Sequence, residues 1–260
     1  MAYSYSKKPL LIGGIITYLS GSIATYLYID SHRDLCKKSD SSTKVVEGCP
    51  FDSIAEKYDK AIAGDELIMG ITLLRRYFVW GAKGKVLEVA CGTGRNFSYY
   101  RQGADVTAID CSSAMVEKAK TKAMALSSKA AISVLQLSAE NLPYEDASFD
   151  FVIDSFGLCS VADPVNVLRE MGRVCKPDGR ILLLEHGKSN YAFMNKLLDK
   201  GEIEHEKKWH CKWNRPIDEL VHTAGLEIER MSRFHFGTTF LLVLSVPRVK
   251  HDRDFASFTI

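Results

Sequence analysis

Hydrophobic positions fall into three regimes along the chain. Pro9 to Ile29 reads PLLIGGIITYLSGSIATYLYI and contains no charged residue. As a helix, a run of roughly 20 residues spans the ~30 Å hydrocarbon core of a bilayer. Asp30 to Gly48 is mostly polar, rich in Ser, Lys and Asp, and reads as a linker. Beyond it, short apolar runs alternate with helical stretches. The strand-like runs are Lys85–Ala90, Asp105–Asp110, Ile132–Leu137, Phe149–Ser155 and Arg180–His186. Between them, Ser113–Leu126 and Val165–Val174 carry helical spacing. That alternation predicts a parallel sheet covered by helices on both faces. Leu226–Phe234 and Thr238–Val246 are two further runs, separated by a short stretch containing Gly237. A hairpin there makes the last strand antiparallel. The expected organisation is an amino-terminal segment 1–8, a transmembrane anchor 9–29, a linker 30–48, an α/β domain 49–247 and a polar tail 248–260.

The flanks of the apolar span favour an anchor. Lys7 and Lys8 precede it, and Asp30, His32, Arg33 and Asp34 follow. Tyr26 and Tyr28 lie near its end, where aromatic rings sit well at a membrane interface. Ser20 and Ala24 form a small-xxx-small pair. Two other readings stay open. In a cleaved signal peptide, Ser22-Ile23-Ala24 would be the cleavage site; alternatively, the span is a buried helix of a soluble core. Basic residues on both sides leave the orientation undetermined.

Composition narrows the class. The chain is 46% hydrophobic and 25% charged, which argues against both disorder and a polytopic membrane protein. A formal charge of +2, with both signs interspersed, gives no basic footprint, so no nucleic-acid partner is expected. The seven cysteines are odd in number, irregularly spaced and form no CxxC pair, which argues against a disulfide framework and against a structural zinc site.

The chemistry begins where the first strand run meets Cys91-Gly92-Thr93-Gly94. Glycine lets the backbone turn sharply and approach a ligand closely. By itself GxG is a weak signal; here it follows a strand, and the next strand run ends in Asp110. A carboxylate there can accept hydrogen bonds from ribose hydroxyls. Alternatively, Asp110 and Ser112 are caps of the following helix. A dinucleotide fingerprint would carry a third glycine at the position held by Phe97, whose bulk obstructs close helix–strand packing. A cofactor without a pyrophosphate fits better, and a nicotinamide oxidoreductase is disfavoured.

EVACGTGRN at Glu88–Asn96, the acidic Asp110, SAENLPYEDASFDFVI and LREMGRVCKPDGRILLLEHG together resemble the class I S-adenosylmethionine-dependent methyltransferases, in particular the ubiquinone/menaquinone methyltransferase-like group. FDSIAEKYD resembles that group's entry segment. The likeness runs from Phe51 to about Val246 and implies a Rossmann-like, mostly parallel seven-stranded sheet. A narrower likeness, carried by EHGKSNYAFMNKLLDK, HCKWNRPIDELVHTAGLEIE and FGTTFLLV, is to fungal mitochondrial inner-membrane methyltransferases of the respiratory-assembly suppressor type. It implies a single-pass protein of the mitochondrial inner membrane, with the endoplasmic reticulum membrane as the alternative. LCSV at Leu158–Val161 is more distantly similar to membrane-anchored animal thiol methyltransferases.

The resemblance also implies roles. Glu88 would orient the cofactor loop or meet the cofactor's ammonium group. Gly92, Thr93 and Gly94 would pass under the methionine portion, with Cys91 and Asn96 in the same cofactor-binding set. Asp110 would hold the ribose, and Met115 would lie against the adenine unless it is simply core. Ala139 and Glu140 would sit near the adenine edge, Tyr58 would come from a lid, and Asp154 would face cofactor and substrate. Ala90 stands where many members have Gly, and Ser138 where many have Asp. Trp213 and Asn214 would shape the substrate side.

Methyl transfer from a sulfonium is an in-line displacement, and a base is needed only if the nucleophile arrives protonated. Asp154 and His186, at strand ends, are the catalytic candidates. His186 reads equally well as a hydrogen-bonded strand-end histidine. His205, His210 and Cys211 lack a second ligand pair, so no metal site is expected. Cys159 reads as a buried thiol. The leading expectation is an anchored methyltransferase acting on a small or lipophilic acceptor: quinone-like or phenolic, lipid or thiol. The alternative is a non-catalytic assembly factor that keeps the fold.

Overall fold

The computed structural model describes residues 49–126 and 130–247. The expected anchor 9–29, linker 30–48 and tail 248–260 lie outside them. Among the described residues, no helix is long and apolar enough to cross a membrane. The described chain divides into two compact units. Residues 57–73 form the smaller, made of most of helix α1 (Ala55–Ile68) and the start of α2 (Ile71–Val79). The larger, residues 49–56 and 74–247, carries the sheet.

The sheet has seven strands: β1 (Gly84–Val89), β2 (Ala104–Asp110), β3 (Ala131–Gln136), β4 (Phe149–Ser155), β5 (Cys175–His186), β6 (Glu227–Phe234) and β7 (Thr239–Ser245). Their spatial order is β3-β2-β1-β4-β5-β7-β6. The first five are parallel, and β7 runs antiparallel to both β5 and β6. The antiparallel last strand is as expected. The expected strand Arg180–His186 is longer than foreseen: β5 starts at Cys175, which pairs with Phe149 across a register shift in β4. Helices α3 (Ser113–Ala125), α4 (Pro164–Val174), α5 (Ala192–Trp209) and α6 (Ile217–Thr223) complete the larger unit. The spacing of the apolar residues had marked α3 and α4 but not α5, which has no buried residue along its 18 residues. Phe193, Met194, Leu197 and Leu198 lie in its first half, and the rest of the helix is mostly charged.

Two apolar layers sandwich the sheet. Leu87 and Val89 enter one layer with Ile109, Val152 and Leu183; Val86 enters the other with Val106, Ala108, Ile153 and Leu184. This alternation follows the two-residue period of a strand. Because both faces are covered, central strands read as near-continuous apolar runs. The edge strands β3 and β6 are largely exposed and more polar. Helix α4 buries Val167, Leu168, Met171 and Val174, side chains worth about 1.5–3 kcal/mol each when fully removed from water. Asp163 caps it, its side chain accepting from the Asn166 amide at 3.0 Å.

The topology fixes where ligands can bind. Strand order reverses between β1 and β4: the chain moves outward from β1 through β2 to β3, then returns to the other side of β1. In open parallel sheets the crevice at the carboxyl ends of the strands beside such a reversal is the natural binding position. The loops after β1, β2, β4 and β5 lie at that end of the sheet.

Candidate cofactor and acceptor site

Two residues at that crevice carry backbone strain. Ala90, directly after β1, has φ +48°, and Phe156, directly after β4, has φ +60°. The left-handed region costs an L-residue about 1–2 kcal/mol, and such outliers gather where function holds them. Ala90 was the position where a glycine was expected from resemblance. Its backbone keeps the glycine conformation although the side chain is alanine.

The loop after β1 is built on Phe97. Gly94, at φ +74°, leaves room for that ring: a Cβ on Gly94 would lie 2.5 Å from it. Phe97 is 1% exposed and starts a short 3-10 turn, Phe97–Tyr99. Its bulk closes the loop from beneath, where a dinucleotide site would need a third glycine. Gly92, at φ +54°, is the opposite case: an added Cβ would meet no heavy atom within 4 Å.

Asp110, at the carboxyl end of β2, is tied to this glycine. Its Oδ2 accepts the Gly92 amide at 2.8 Å and its Oδ1 the Ser112 amide at 2.9 Å. Burial raises its pKa above the ordinary carboxylate value, against the opposing pull of these two bonds. Of the two sequence readings, the capping role falls to Ser112, whose Oγ accepts the Met115 amide at 3.1 Å. Asp52 reinforces it, accepting from Ser112 Oγ at 2.6 Å and from the Ala114 amide at 3.1 Å.

Beneath the loop lies a buried polar lock. Glu88 accepts from Asn96 Nδ2 at 3.0 Å and from the Tyr100 hydroxyl at 2.7 Å. Asn96 Nδ2 also reaches Ser155 Oγ at 2.9 Å. Arg75 Nη1 donates to Asn96 Oδ1 at 3.1 Å and to Ser155 Oγ at 2.8 Å, and its guanidinium lies 5.1 Å from the Phe156 ring centre. Burial pushes the Glu88 carboxyl up to about 7, although both hydrogen bonds and Arg75 work against it. Glu88 and Asn96 thus tie the ends of β1 and β4 together. Their side chains hold the loop.

Asp154, on β4, and Glu185, on β5, are 1% and 0% exposed. Glu185 Oε1 accepts the Gly157 amide at 3.0 Å and the Leu158 amide at 3.3 Å. Both Asp154 oxygens and Glu185 Oε2 have no hydrogen-bond partner among the described residues. Two carboxylates cannot donate to each other, so this pair is satisfied only when it holds a proton. Desolvation raises both groups, Asp154 to about 7 and Glu185 well above the ordinary carboxylate value; the Asp154 charge pushes Glu185 up as well, whereas Glu185 draws Asp154 down and the Glu88 charge pushes it up. The sequence reading missed Glu185. It stands at the end of an apolar run, the same signal that singled out Asp110 and Asp154.

His186 lies next along β5. Its ring centre is 4.6 Å from that of Phe156, and its Nε2 is 3.4 Å from Cys211 Sγ. Nearby, His205 stacks on Trp213 at 3.9 Å, and Phe51 meets His210 edge-on at 5.8 Å. Burial and the adjacent His186 push the His205 imidazole down to about 3, so it is neutral at physiological pH. Trp213 donates to the Leu198 carbonyl at 3.0 Å, and Asn214 to Asp199 Oδ1 at 2.9 Å.

The other expected cofactor residues divide. Met115 and Cys91 are buried, the thiol of Cys91 lying 3.7 Å from the Gly92 carbonyl, and Thr93 is 1% exposed. Ala139 packs against the apolar layer below. Glu140 Oε1 accepts the Asp163 amide at 3.2 Å and its carbonyl accepts Asn166 Nδ2 at 2.7 Å, which ties its loop to α4. Tyr58 lies on α1 in the smaller unit.

A family model described as methyltransferase domain matches residues 87–183, which run from β1 through most of β5. Over 171 residues the chain is 34% identical to a ubiquinone/menaquinone biosynthesis C-methyltransferase of Psychromonas ingrahamii, covering 62% of this chain and 67% of that protein. The chain belongs to the S-adenosylmethionine-dependent methyltransferase family. Within it, a mitochondrial methyltransferase of Saccharomyces cerevisiae, OMS1, is 36% identical over 206 residues, or 73% of this chain. The match spans 44% of the yeast protein's length. A solved S-adenosylmethionine-dependent methyltransferase of Thermotoga maritima shares the methyltransferase fold, with a TM-score of 0.58 at 19% identity over 76% of this chain and 98% of that one.

Proposed function

We propose that this methyltransferase binds S-adenosylmethionine in the crevice above β1, β2 and β4 and methylates a lipophilic, aromatic acceptor at a mitochondrial membrane. The observation that carries the cofactor assignment is the open space at Gly92 together with the Asp110 carboxylate hydrogen-bonded to the Gly92 amide. A ribose has two adjacent hydroxyls that can donate to such a carboxylate. A sulfonium and an ammonium group nearby would draw the buried Asp154 carboxyl back toward its charged form. Phe97, buried beneath the loop, stands where a dinucleotide fold has the glycine that lets helix and strand pack closely.

The cofactor, when bound, supplies a methyl group on a sulfonium. The chain's own residues do the rest. Asp110 fixes the adenosine end and the Gly92–Gly94 turn the other. The Arg75–Asn96–Glu88–Ser155 lock holds that turn, and alignment of donor and acceptor can supply several kcal/mol of the barrier. Asp154, pushed up to about 7 by burial, and His186 can take a proton from a hydroxyl or an acidic carbon of the acceptor. Phe156, His186, Trp213 and Phe51 offer ring faces and edges that suit a planar acceptor such as a quinol or phenol. Support for a membrane setting comes from the apolar span at Pro9–Ile29, and support for mitochondria from the likeness to the yeast protein.

The test is titration of the full-length protein with S-adenosylmethionine, followed by incubation with methyl-labelled cofactor and an organic extract of mitochondria. Label passing into the organic phase is expected. Asp110→Ala removes a charge-assisted contact worth about 1.5–3 kcal/mol, so cofactor affinity falls roughly 10- to 150-fold. A wild-type protein that fails to bind S-adenosylmethionine would overturn the enzyme reading. Binding without transfer to any extract would favour the non-catalytic assembly role.

A further inference from the structure

Cys159, His186 and Cys211 lie far apart in sequence and come together at the carboxyl edge of the sheet. Their ligand atoms all lie within 4.8 Å of one another. Cys159 is 2% and Cys211 5% exposed, and His186 is half-buried. This is a different set from the His205, His210 and Cys211 trio that proximity in sequence suggested. Each donor comes from a different segment: the loop after β4, the end of β5 and the turn after α5.

Hydrogen bonds fasten these three segments to one another. The Lys212 amide donates to the Cys159 carbonyl at 2.9 Å. Arg215 Nη2 donates to the Val161 carbonyl at 2.7 Å, and the Lys188 amide to the Arg215 carbonyl at 2.8 Å. The donors are therefore held in place by the backbone around them. His186 is further fixed by its ring contact with Phe156. Zinc bonded to sulfur at about 2.3 Å and to nitrogen at about 2.0–2.1 Å in a tetrahedron gives ligand–ligand edges of about 3.5–3.8 Å. The 3.4 Å from His186 Nε2 to Cys211 Sγ is close to such an edge.

We propose that Cys159, His186 and Cys211 bind a zinc ion with one coordination position left open. Two thiolates and an imidazole are a donor set that selects zinc over magnesium or calcium. Three protein donors rather than four are the arrangement of sites that accept an exogenous ligand. His186 adjoins Glu185 and lies against the Phe156 ring, which places the three donors beside the proposed acceptor site. With His186 holding the ion, the Asp154–Glu185 pair is left to handle the acceptor's proton. The donor set carries this assignment independently of the methyl-transfer reading, and its test needs no turnover.

The full-length protein, purified without chelator from zinc-supplemented cells, is assayed for metal by mass spectrometry. About one zinc per chain is expected, as is loss of nearly all of it in Cys159→Ser and in Cys211→Ser. Cys175→Ser, which removes a buried cysteine outside the cluster, keeps its zinc. Cobalt exchanged into the wild-type protein gives a thiolate-to-cobalt charge-transfer band and tetrahedral d–d absorption. That spectrum decides the matter if the serine variants fail to fold. A wild-type protein that takes up no zinc on reconstitution overturns the proposal. So does zinc retained in both serine variants.

Discussion

Ala90 and Gly92 form an internal experiment on the cofactor loop. Both sit in the left-handed region, at φ +48° and +54°, two residues apart. Ala90→Gly removes a backbone penalty of about 1–2 kcal/mol. Against this stand the greater freedom of glycine in the unfolded chain, about 0.5–1 kcal/mol, and the loss of a half-buried methyl, below the ~0.8 kcal/mol of a fully buried one. The net expectation is a stabilisation of up to about 1 kcal/mol, a rise in melting midpoint of roughly 1–4 °C for a domain of this size. Gly92→Ala is the mirror image. Its added Cβ meets nothing within 4 Å, so no clash contributes. The left-handed penalty less the entropic gain of alanine leaves a loss of about 0.5–1 kcal/mol. Thermal melts of both variants without cofactor, followed by S-adenosylmethionine titrations, give the signs. Gly92→Ala should also weaken cofactor binding, because its methyl enters the open space assigned to the ligand. Two shifts of the same sign, or a clear fall in the midpoint of Ala90→Gly, would show that backbone strain does not govern this turn.

Other consequences follow from the buried charges. Asp154, raised from 3.8 to about 7, keeps a proton in the folded state that the unfolded chain has lost. Its contribution is fully present below pH ~4 and is lost as pH rises through about 7, on the order of 4 kcal/mol at 1.36 kcal/mol per unit. In Glu185→Gln the amide donates to Asp154 and its oxygen still accepts from Gly157 and Leu158, so urea melts across this range should show a shallower decline with pH. Glu88, raised in the same direction, keeps the slope from vanishing; a slope identical to wild type would remove the pair from the account. Arg75→Met strips the lock of two charge-assisted bonds and should cost about 2–4 kcal/mol in thermal melts. A loss below about 0.5 kcal/mol, the size typical of surface changes, would refute the lock.

Much of this molecule was legible in local patterns. Alternating apolar runs gave the parallel sheet, because strand period and two-sided burial act over a few residues. The glycine turn after β1, the acidic end of β2 and Asp154 were readable for the same reason. The antiparallel ending was readable from two runs about a short Gly237 stretch. Helix α5 was not, since most of its apolar residues lie in the first half and none of them is buried. The backbone strain at Ala90 was hidden as well, for alanine looks harmless until its φ is known.

What the tertiary structure alone decided is which distant residues meet. Parallel strands enter the sheet out of sequence order, so the ends of β1, β4 and β5 become neighbours across gaps that spacing cannot reveal. That crossing sets Arg75 on Ser155, 80 residues away, and Glu185 against Asp154. It gathers Cys159, His186 and Cys211 within 4.8 Å. Local sequence determined the elements and the cofactor turn, because those depend on short-range sterics and periodicity. The proton-holding pair and the thiol–imidazole cluster depend on chain crossing, and only the folded sheet defines it.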